Sequence, residues 1–185
     1  MSGIVGSYFN TRGSGVVAKL GTDGQVFTST GAGLSQGFEA AAGGGGLLQL
    51  KTAVKTDVFT STSTSMVDVT DLTVDITPTA SDSKILILVS YKGSLGIVQS
   101  VTNRLQLVRD TTVILALGNI GNASSSFMQN NHAMFLDNPA TTSATTYKIQ
   151  GKGDGQTWSC NQVQGGSTDE SDSTITVMEI ATGVL

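Results

Sequence analysis

From residue 47 onward, apolar residues recur in short segments, often at every second position, separated by clusters of Gly, Ser, Asn and Asp. This is the pattern of half-buried strands joined by turns. Ala53 to Phe59 reads as the first strand. Met66 to Thr77 is the second, and it changes phase. Val67 and Val69 share one parity, whereas Leu72, Val74 and Ile76 share the other. A single extra residue restores a common face, so the pattern predicts a β-bulge at Thr70-Asp71. Pro78 ends the strand and Ser81-Asp82-Ser83 turns the chain. Ile85-Leu86-Ile87-Leu88-Val89 is apolar without interruption, which predicts a strand covered on both faces. A small sandwich has one inner face, so the second cover is expected from a neighbouring subunit. Further strands are predicted at Arg104 to Arg109, Thr112 to Leu117, His132 to Leu136, Thr145 to Gly151, Thr157 to Val163 and Thr174 to Ile180. Eight to ten short strands with no helical period predict an antiparallel β-sandwich. Because the chain nearly ends on a strand, that strand is expected in the middle of a sheet.

The first 46 residues differ. They carry 13 of the 23 glycines, counted from Gly3 to Gly46, and Ala40 to Gly46 is the clearest linker. Four consecutive glycines hold no single conformation without outside contacts. The segment also contains Ile4, Val5, Tyr8, Phe9, Val16, Val17, Leu20, Val26, Phe27, Leu34 and Phe38. A piece this short and Gly-rich cannot bury them alone, so it is expected to find another surface. The division expected is therefore an arm and linker over 1–46 and a sandwich over 47–185.

Composition narrows the function classes. Only 13% of the 185 residues are charged, about half the usual share. Ser and Thr together make up about 25%, a hydroxyl-rich composition suited to strands and turns. The net charge of −4 excludes a basic nucleic-acid footprint. The arm's Arg12 and Lys19 balance Asp23 and Glu39, so the whole net charge belongs to 47–185. No apolar run reaches the roughly 18 residues of a membrane span. Met1 to Asn10 lacks the basic start of a secretory signal. One cysteine and one histidine leave no disulfide framework, no multi-cysteine zinc site and little scope for His-based catalysis.

The segment Leu20-Gly21-Thr22-Asp23-Gly24-Gln25-Val26-Phe27-Thr28-Ser29-Thr30-Gly31 resembles a short element of bacteriophage tail-fibre proteins that precedes a small-residue linker. Thr56 to Ser63, Val67 to Leu72, Ile76-Thr77-Pro78 with Ser83 to Ile87, and the ending Thr176 to Ile180 resemble a domain of phage structural proteins. The resemblance implies an N-terminal arm that docks on the particle and a trimeric, jelly-roll-like sandwich of the tumour-necrosis-factor type. The chain lacks the heptad stalk or repeated β-helix of a long fibre, so the fibre implied is a short one.

Candidates for chemistry are few. His132 precedes Ala133 to Leu136 on a strand, with Asp137 beside it, but no G-x-S-x-G nucleophile elbow accompanies them. Cys160 has no cationic neighbour in sequence to activate it and is expected to pack as a small hydrophobe. Trp158 is expected to be partly buried, with stacking on a sugar as the functional alternative. Asp169, Glu170 and Asp172 form an acidic loop, and Asp68, Asp71 and Asp75 recur along one strand. None of these follows a calcium-binding spacing. Paired carboxylates could hydrolyse a glycoside, but 5% aromatic residues is thin for a sugar cleft. Gly31-Ala32-Gly33 opens no helix, and Gly151-Lys152-Gly153-Asp154-Gly155 reads as a hairpin turn. Asn122-Ala123-Ser124 is a sequon without a secretory route.

The expectation is thus an all-β, antiparallel jelly-roll-like sandwich, trimeric, behind an extended Gly-rich arm. No enzymatic activity, cofactor, metal, nucleic acid or membrane insertion is expected. Ile4, Val5, Tyr8 and Phe9 are the expected docking residues on other virion proteins of the tail, baseplate or capsid. Ile85, Ile87, Val89, Val177 and Ile180 are the expected trimer contacts. Loops Gly118 to Ser126 and Gly165 to Ser173 would meet a host surface glycan in a short tail fibre at the virion surface. A head decoration protein clamping capsid subunits is the alternative. A glycan depolymerase is a distant third, and a cellular trimeric ligand would need a secretory route.

Overall fold

In the computed structural model the described residues are 25–28, 37–40, 46–95, 103–120, 128–153, 155, 157–162 and 171–182. The chain divides into two units, Met1–Gly45 and Gly46–Leu185. In the first, β1 (Gln25–Thr28) pairs antiparallel with β2 (Gly37–Ala40), with Phe27 opposite Phe38.

The second unit is built from β3 (Leu47–Lys55), β4 (Phe59–Ser61), β5 (Val67–Ile76), β6 (Lys84–Leu95), β7 (Asn103–Arg109), β8 (Thr112–Ile120), β9 (Gln129–Asp137), β10 (Thr145–Lys152), β11 (Trp158–Cys160) and β12 (Ser173–Ile180). One sheet runs β5-β10-β7-β8 and the other runs β3-β12-β6, with β9 on the far edge of β6. All the pairings are antiparallel, and the two four-strand sets are those of a jelly roll. Gly93 pairs with Gln129 on one side and Cys160 on the other. The short β11 therefore extends the β12 edge of β6, and β4 pairs with β11 beyond it.

Alternation supplies the core. Val74 and Ile76 of β5, Ile85, Ile87, Val89 and Tyr91 of β6, Leu105 and Leu107 of β7, Tyr147 and Ile149 of β10, and Ile175 and Val177 of β12 are buried together. Trp158 and Cys160 of β11 complete that cluster. Removing this much aliphatic and aromatic surface from water is the main stabilising term.

The phase change in β5 is a bulge. Asp71 adopts φ 63°, and the register against β10 shifts between Lys148↔Thr73 and Gln150↔Asp68. Val69 and Leu72 consequently both reach the core, each with no exposed surface. The final strand, β12, lies between β3 and β6, inside its sheet.

Two expectations are corrected. The first strand starts at Leu47, and the chain is interrupted at 56–58 rather than running to Phe59. There Lys55 Nζ meets Asp57 Oδ1 at 2.7 Å, and Asn161 Nδ2 donates to the carbonyls of Lys55 and Asp57. Gly151 to Gly155 does not close a hairpin, because β10 and β11 belong to different sheets. The segment carries the chain from one sheet to the other, and Gly153 N is bonded to Ser63 O at 2.8 Å. Within one chain the Ile85–Val89 strand is covered on one face: Ile85, Ile87 and Val89 are buried, whereas Leu88 is 37% exposed.

Candidate functional site

The ionisable and polar groups buried in the sandwich act as ties between strands. Glu179 follows Ile175 and Val177 at the inward parity of β12 and is fully buried. It accepts hydrogen bonds from Gln49 Nε2 at 2.5 Å and from the backbone N and Oγ1 of Thr79, each at 2.7 Å. Burial alone would raise its carboxyl. The bonds from Gln49 and Thr79 outweigh burial and hold the pKa at about 2. Glu179 therefore fixes the 77–83 turn onto the six-stranded sheet.

At another tie, Arg109 Nη1 donates to both carboxylate oxygens of Asp137, at 2.9 and 2.8 Å, and to Asn138 O at 3.2 Å. The buried Tyr147 donates its hydroxyl to Asp137 Oδ2 at 2.7 Å. Burial, then the Asp137 contact, pushes the phenol above its ordinary range. Lys55 is wholly buried and reaches Asp57 at 2.7 Å, Thr70 Oγ1 at 3.3 Å and Asp71 at 3.7 Å. Asn161 holds β11 in place. Its Nδ2 donates to Lys55 O and Asp57 O, its Oδ1 accepts from Ser173 Oγ at 2.6 Å, and its backbone N donates to Lys92 O.

His132 is exposed on β9. Cys160 is buried beside Ser173 Oγ at 3.3 Å, and burial pushes its thiol up to about 11. A thiol held protonated in this way is a poor nucleophile. Trp158 is buried, not partly exposed, and packs 5.3 Å from Phe59. Asp68 accepts from Lys148 at 2.9 Å and Gln150 at 2.6 Å, and Asp75 accepts from Thr146 at 2.5 Å. Among the described residues no group of three or more His, Cys, Asp or Glu is gathered for a metal ion. No helix among them is long and apolar enough to cross a membrane.

Ile4, Val5, Tyr8 and Phe9 lie outside the described residues, as do Asp169, Glu170 and the loop segments 121–127 and 163–170. Ile85, Ile87, Val89 and Val177 point into the chain's own core and present no surface to a neighbour. Ile180 has the opposite parity to Val177 and pairs with Lys84.

The residues between the buried ones make the outward face of the six-stranded sheet. Pairing aligns them in three rows across β3, β12, β6 and β9: Leu50–Met178–Leu86–Leu136, Thr52–Thr176–Leu88–Met134, and Val54–Thr174–Ser90–His132. Directly paired residues point to the same side of a sheet. Leu50 is 54% exposed and Met134 72%. A shallow groove of about 450 Å³ runs along this face between Leu88, Ser90, His132, Met134, Thr174 and Thr176. The four-stranded sheet is different. Its outward face carries Asp68, Asp75, Lys148, Lys152 and Arg104.

Sequence reasoning missed Lys55, Asn161, Arg109 and Glu179 as structural residues. For Glu179 a signal existed: a carboxylate at the parity of Ile175 and Val177 must be either misplaced or paired.

No protein-family model matches the sequence, and no curated protein matches it. Solved structures do match in shape. The infectious bursal disease virus structure, Gt strain, is 12% identical, covering 86% of this chain and 43% of that one, with a TM-score of 0.46. The VP2 subviral particle of infectious bursal disease virus is 13% identical over 73% of this chain and 38% of that one, with a TM-score of 0.44. Dimeric latent PorU from Porphyromonas gingivalis is 8% identical over 71% of this chain and 12% of that one, with a TM-score of 0.43. The chain spans less than half the length of each.

Proposed function

We propose that this chain is a non-enzymatic structural component of a bacteriophage particle, a short tail fibre. The arm, residues 1–46, docks on tail or baseplate proteins through Ile4, Val5, Tyr8 and Phe9. The sandwich stands at the virion surface as a homotrimer and meets a host surface glycan through its loops. Three weak loop contacts on one rigid body add as avidity.

The observation that carries the reading is how the sandwich uses its chemistry. Arg109, Asp137, Tyr147, Lys55 and Glu179 are committed to joining strands and turns, and the thiol of Cys160 is buried. Such a fold offers rigid geometry. It is joined to a glycine-rich arm whose Leu20 to Gly31 stretch resembles tail-fibre proteins.

The test is immunogold labelling of intact particles with an antibody to the sandwich, alongside mass spectrometry of the particle proteins. Gold at the tail is expected. Gold spread over the head replaces the fibre with a decoration protein. Absence of the chain from particles overturns the reading.

A further inference from the structure

The geometry points to a binding site for an acidic sugar, one that carries a carboxylate, on the outward face of the four-stranded sheet. The site is Arg104 and Gln106 of β7 with Lys152 of β10. The inference rests on the reading of a glycan-binding fibre and deepens it. It names the class of glycan and places the contact on a sheet face.

Two cations stand together there without a counter-charge. Arg104 pairs directly with Lys152, which sets their Cβ atoms about 5 Å apart on one side of the sheet. That side is outward, because Leu105 is buried and a Cβ added at Gly151 would strike Trp158 and Leu105. Like charges placed directly opposite cost stability. The other two cations of these four strands are matched: Arg109 holds Asp137 and Lys148 holds Asp68. Arg104 and Lys152 have no ion pair and no hydrogen-bond partner among the described residues. Asp68, the outward carboxylate of the next row, is already occupied, with Oδ1 accepting from Gln150 and Oδ2 from Lys148. The missing partner is an anion from outside, and a guanidinium fork fits a carboxylate with two bonds.

A row of amides adds an acceptor. An ionised carboxylate only accepts, so Asp68 takes the amide nitrogen of Gln150, at 2.6 Å. Gln150 Oε1 is thereby turned to Gln106, whose Nε2 donates to it at 2.8 Å. Gln106 Oε1 is left without a donor among the described residues. A free acceptor beside two free cations matches a ligand with hydroxyls next to its carboxylate. Inorganic phosphate brings almost only acceptors, whereas a sugar acid brings a carboxylate and several O–H donors.

The site has room. Leu105 pairs with Gly118 and Gln106 with Ala116, so β8 carries one extra residue between them, a bulge. A Cβ added at Gly118 would meet nothing within 4 Å. These two small residues leave a cavity of about 380 Å³, closed by Met66, Arg104, Leu105 and Gln106. That volume is at the small end of ligand sites, about 300–1,000 Å³, and suits a monosaccharide unit.

The test is saturation-transfer-difference NMR on the purified full chain, with D-glucuronate, D-galacturonate and N-acetylneuraminate as probes at millimolar concentration. Saturation of at least one of them is expected, with none for D-glucose or D-galactose. Arg104→Gln is expected to weaken that binding about tenfold and Lys152→Gln severalfold, with circular dichroism unchanged. Lys84→Gln removes the same charge from the other sheet and is expected to leave binding as it was. Binding of none of the three acids overturns the inference. So does binding that both site variants leave intact, or that Lys84→Gln weakens as much as they do. Inorganic phosphate that displaces the sugar acid at equal concentration would make this a bare anion site and also overturn it. The outcome is separate from the virion reading. A chain that binds a sugar acid but is absent from particles keeps the site and ends the fibre reading. A chain found at the tail that binds none of the three does the reverse.

Discussion

The hydroxyl of Tyr147 on β10 and the carboxylate of Asp137 at the end of β9 lie 2.7 Å apart, and their bond links one sheet of the sandwich to the other. Arg109 of β7 closes the same carboxylate from the four-stranded side. Removing Asp137 leaves the buried Tyr147 hydroxyl without this acceptor, whereas removing Tyr147 leaves the carboxylate still held by Arg109. Asp137→Asn is expected to destabilise the sandwich by about 3 kcal/mol. Tyr147→Phe should cost about 1–2 kcal/mol. Urea denaturation of the two single variants and the double variant measures both, and a non-additive double variant is the expected sign of a shared network.

Glu179 makes stability depend on acid. Its carboxyl is held at about 2 when folded, against 4.5 as its ordinary value. A depressed folded pKa contributes stability that is complete above the ordinary value and is lost as pH falls through the folded one. The loss attributable to Glu179 therefore falls between pH 4.5 and pH 2 and is on the order of 3 kcal/mol. Glu179→Gln is expected to be less stable than the wild type at pH 7 and to flatten the acid slope in that window. Parallel slopes for the two proteins would remove Glu179 from this role.

Gly93 is needed for close approach. A Cβ added there would lie 2.2 Å from the backbone oxygen of Ser159 and 2.6 Å from the Tyr91 ring. The oxygen belongs to a paired strand and cannot move without breaking the β6–β11 ladder. Gly93→Ala is expected to destabilise by about 2 kcal/mol or more through overpacking. It should also speed hydrogen exchange in β11 before the rest of the sheet.

The bulge at Asp71 gives a prediction of opposite sign. Its φ of 63° lies in the left-handed region, which costs a residue with a Cβ roughly 1 kcal/mol or more. Asp71→Gly should be neutral or stabilising, because Asp71 is exposed and 3.7 Å from Lys55, which keeps its shorter contact with Asp57. Asp71→Val should be destabilising by about 1–2 kcal/mol. Equal melting temperatures for the two variants would contradict the strain.

The Cys160 thiol, held up at about 11 by burial, is expected to resist a thiol reagent at pH 8 in the folded protein and to react at once in denaturant. Rapid labelling of the native chain would show that β11 opens.

Much of this architecture was legible because strands write their faces into the sequence with period two. The parity switch between Val69 and Leu72 announced the bulge, and the Ile85–Val89 run announced a strand with apolar residues on both sides. The same run did not say which residues faced inward. Ile85, Ile87 and Val89 went to the core, and Leu86 and Leu88 to the open face, because of partners on β9 and β12 far away in sequence. Pairing order is a long-range property, which is why β11 was not separable from a hairpin and why Asn161 looked like an ordinary loop residue. The open face itself draws one or two apolar residues from each of β3, β12, β6 and β9, too few per strand to stand out.

Cryo-electron microscopy of the intact particle locates this chain. Density for this chain is expected at the tail or baseplate, with sandwiches grouped in threes. Sandwiches standing singly, or no density for the chain anywhere on the particle, would contradict this placement.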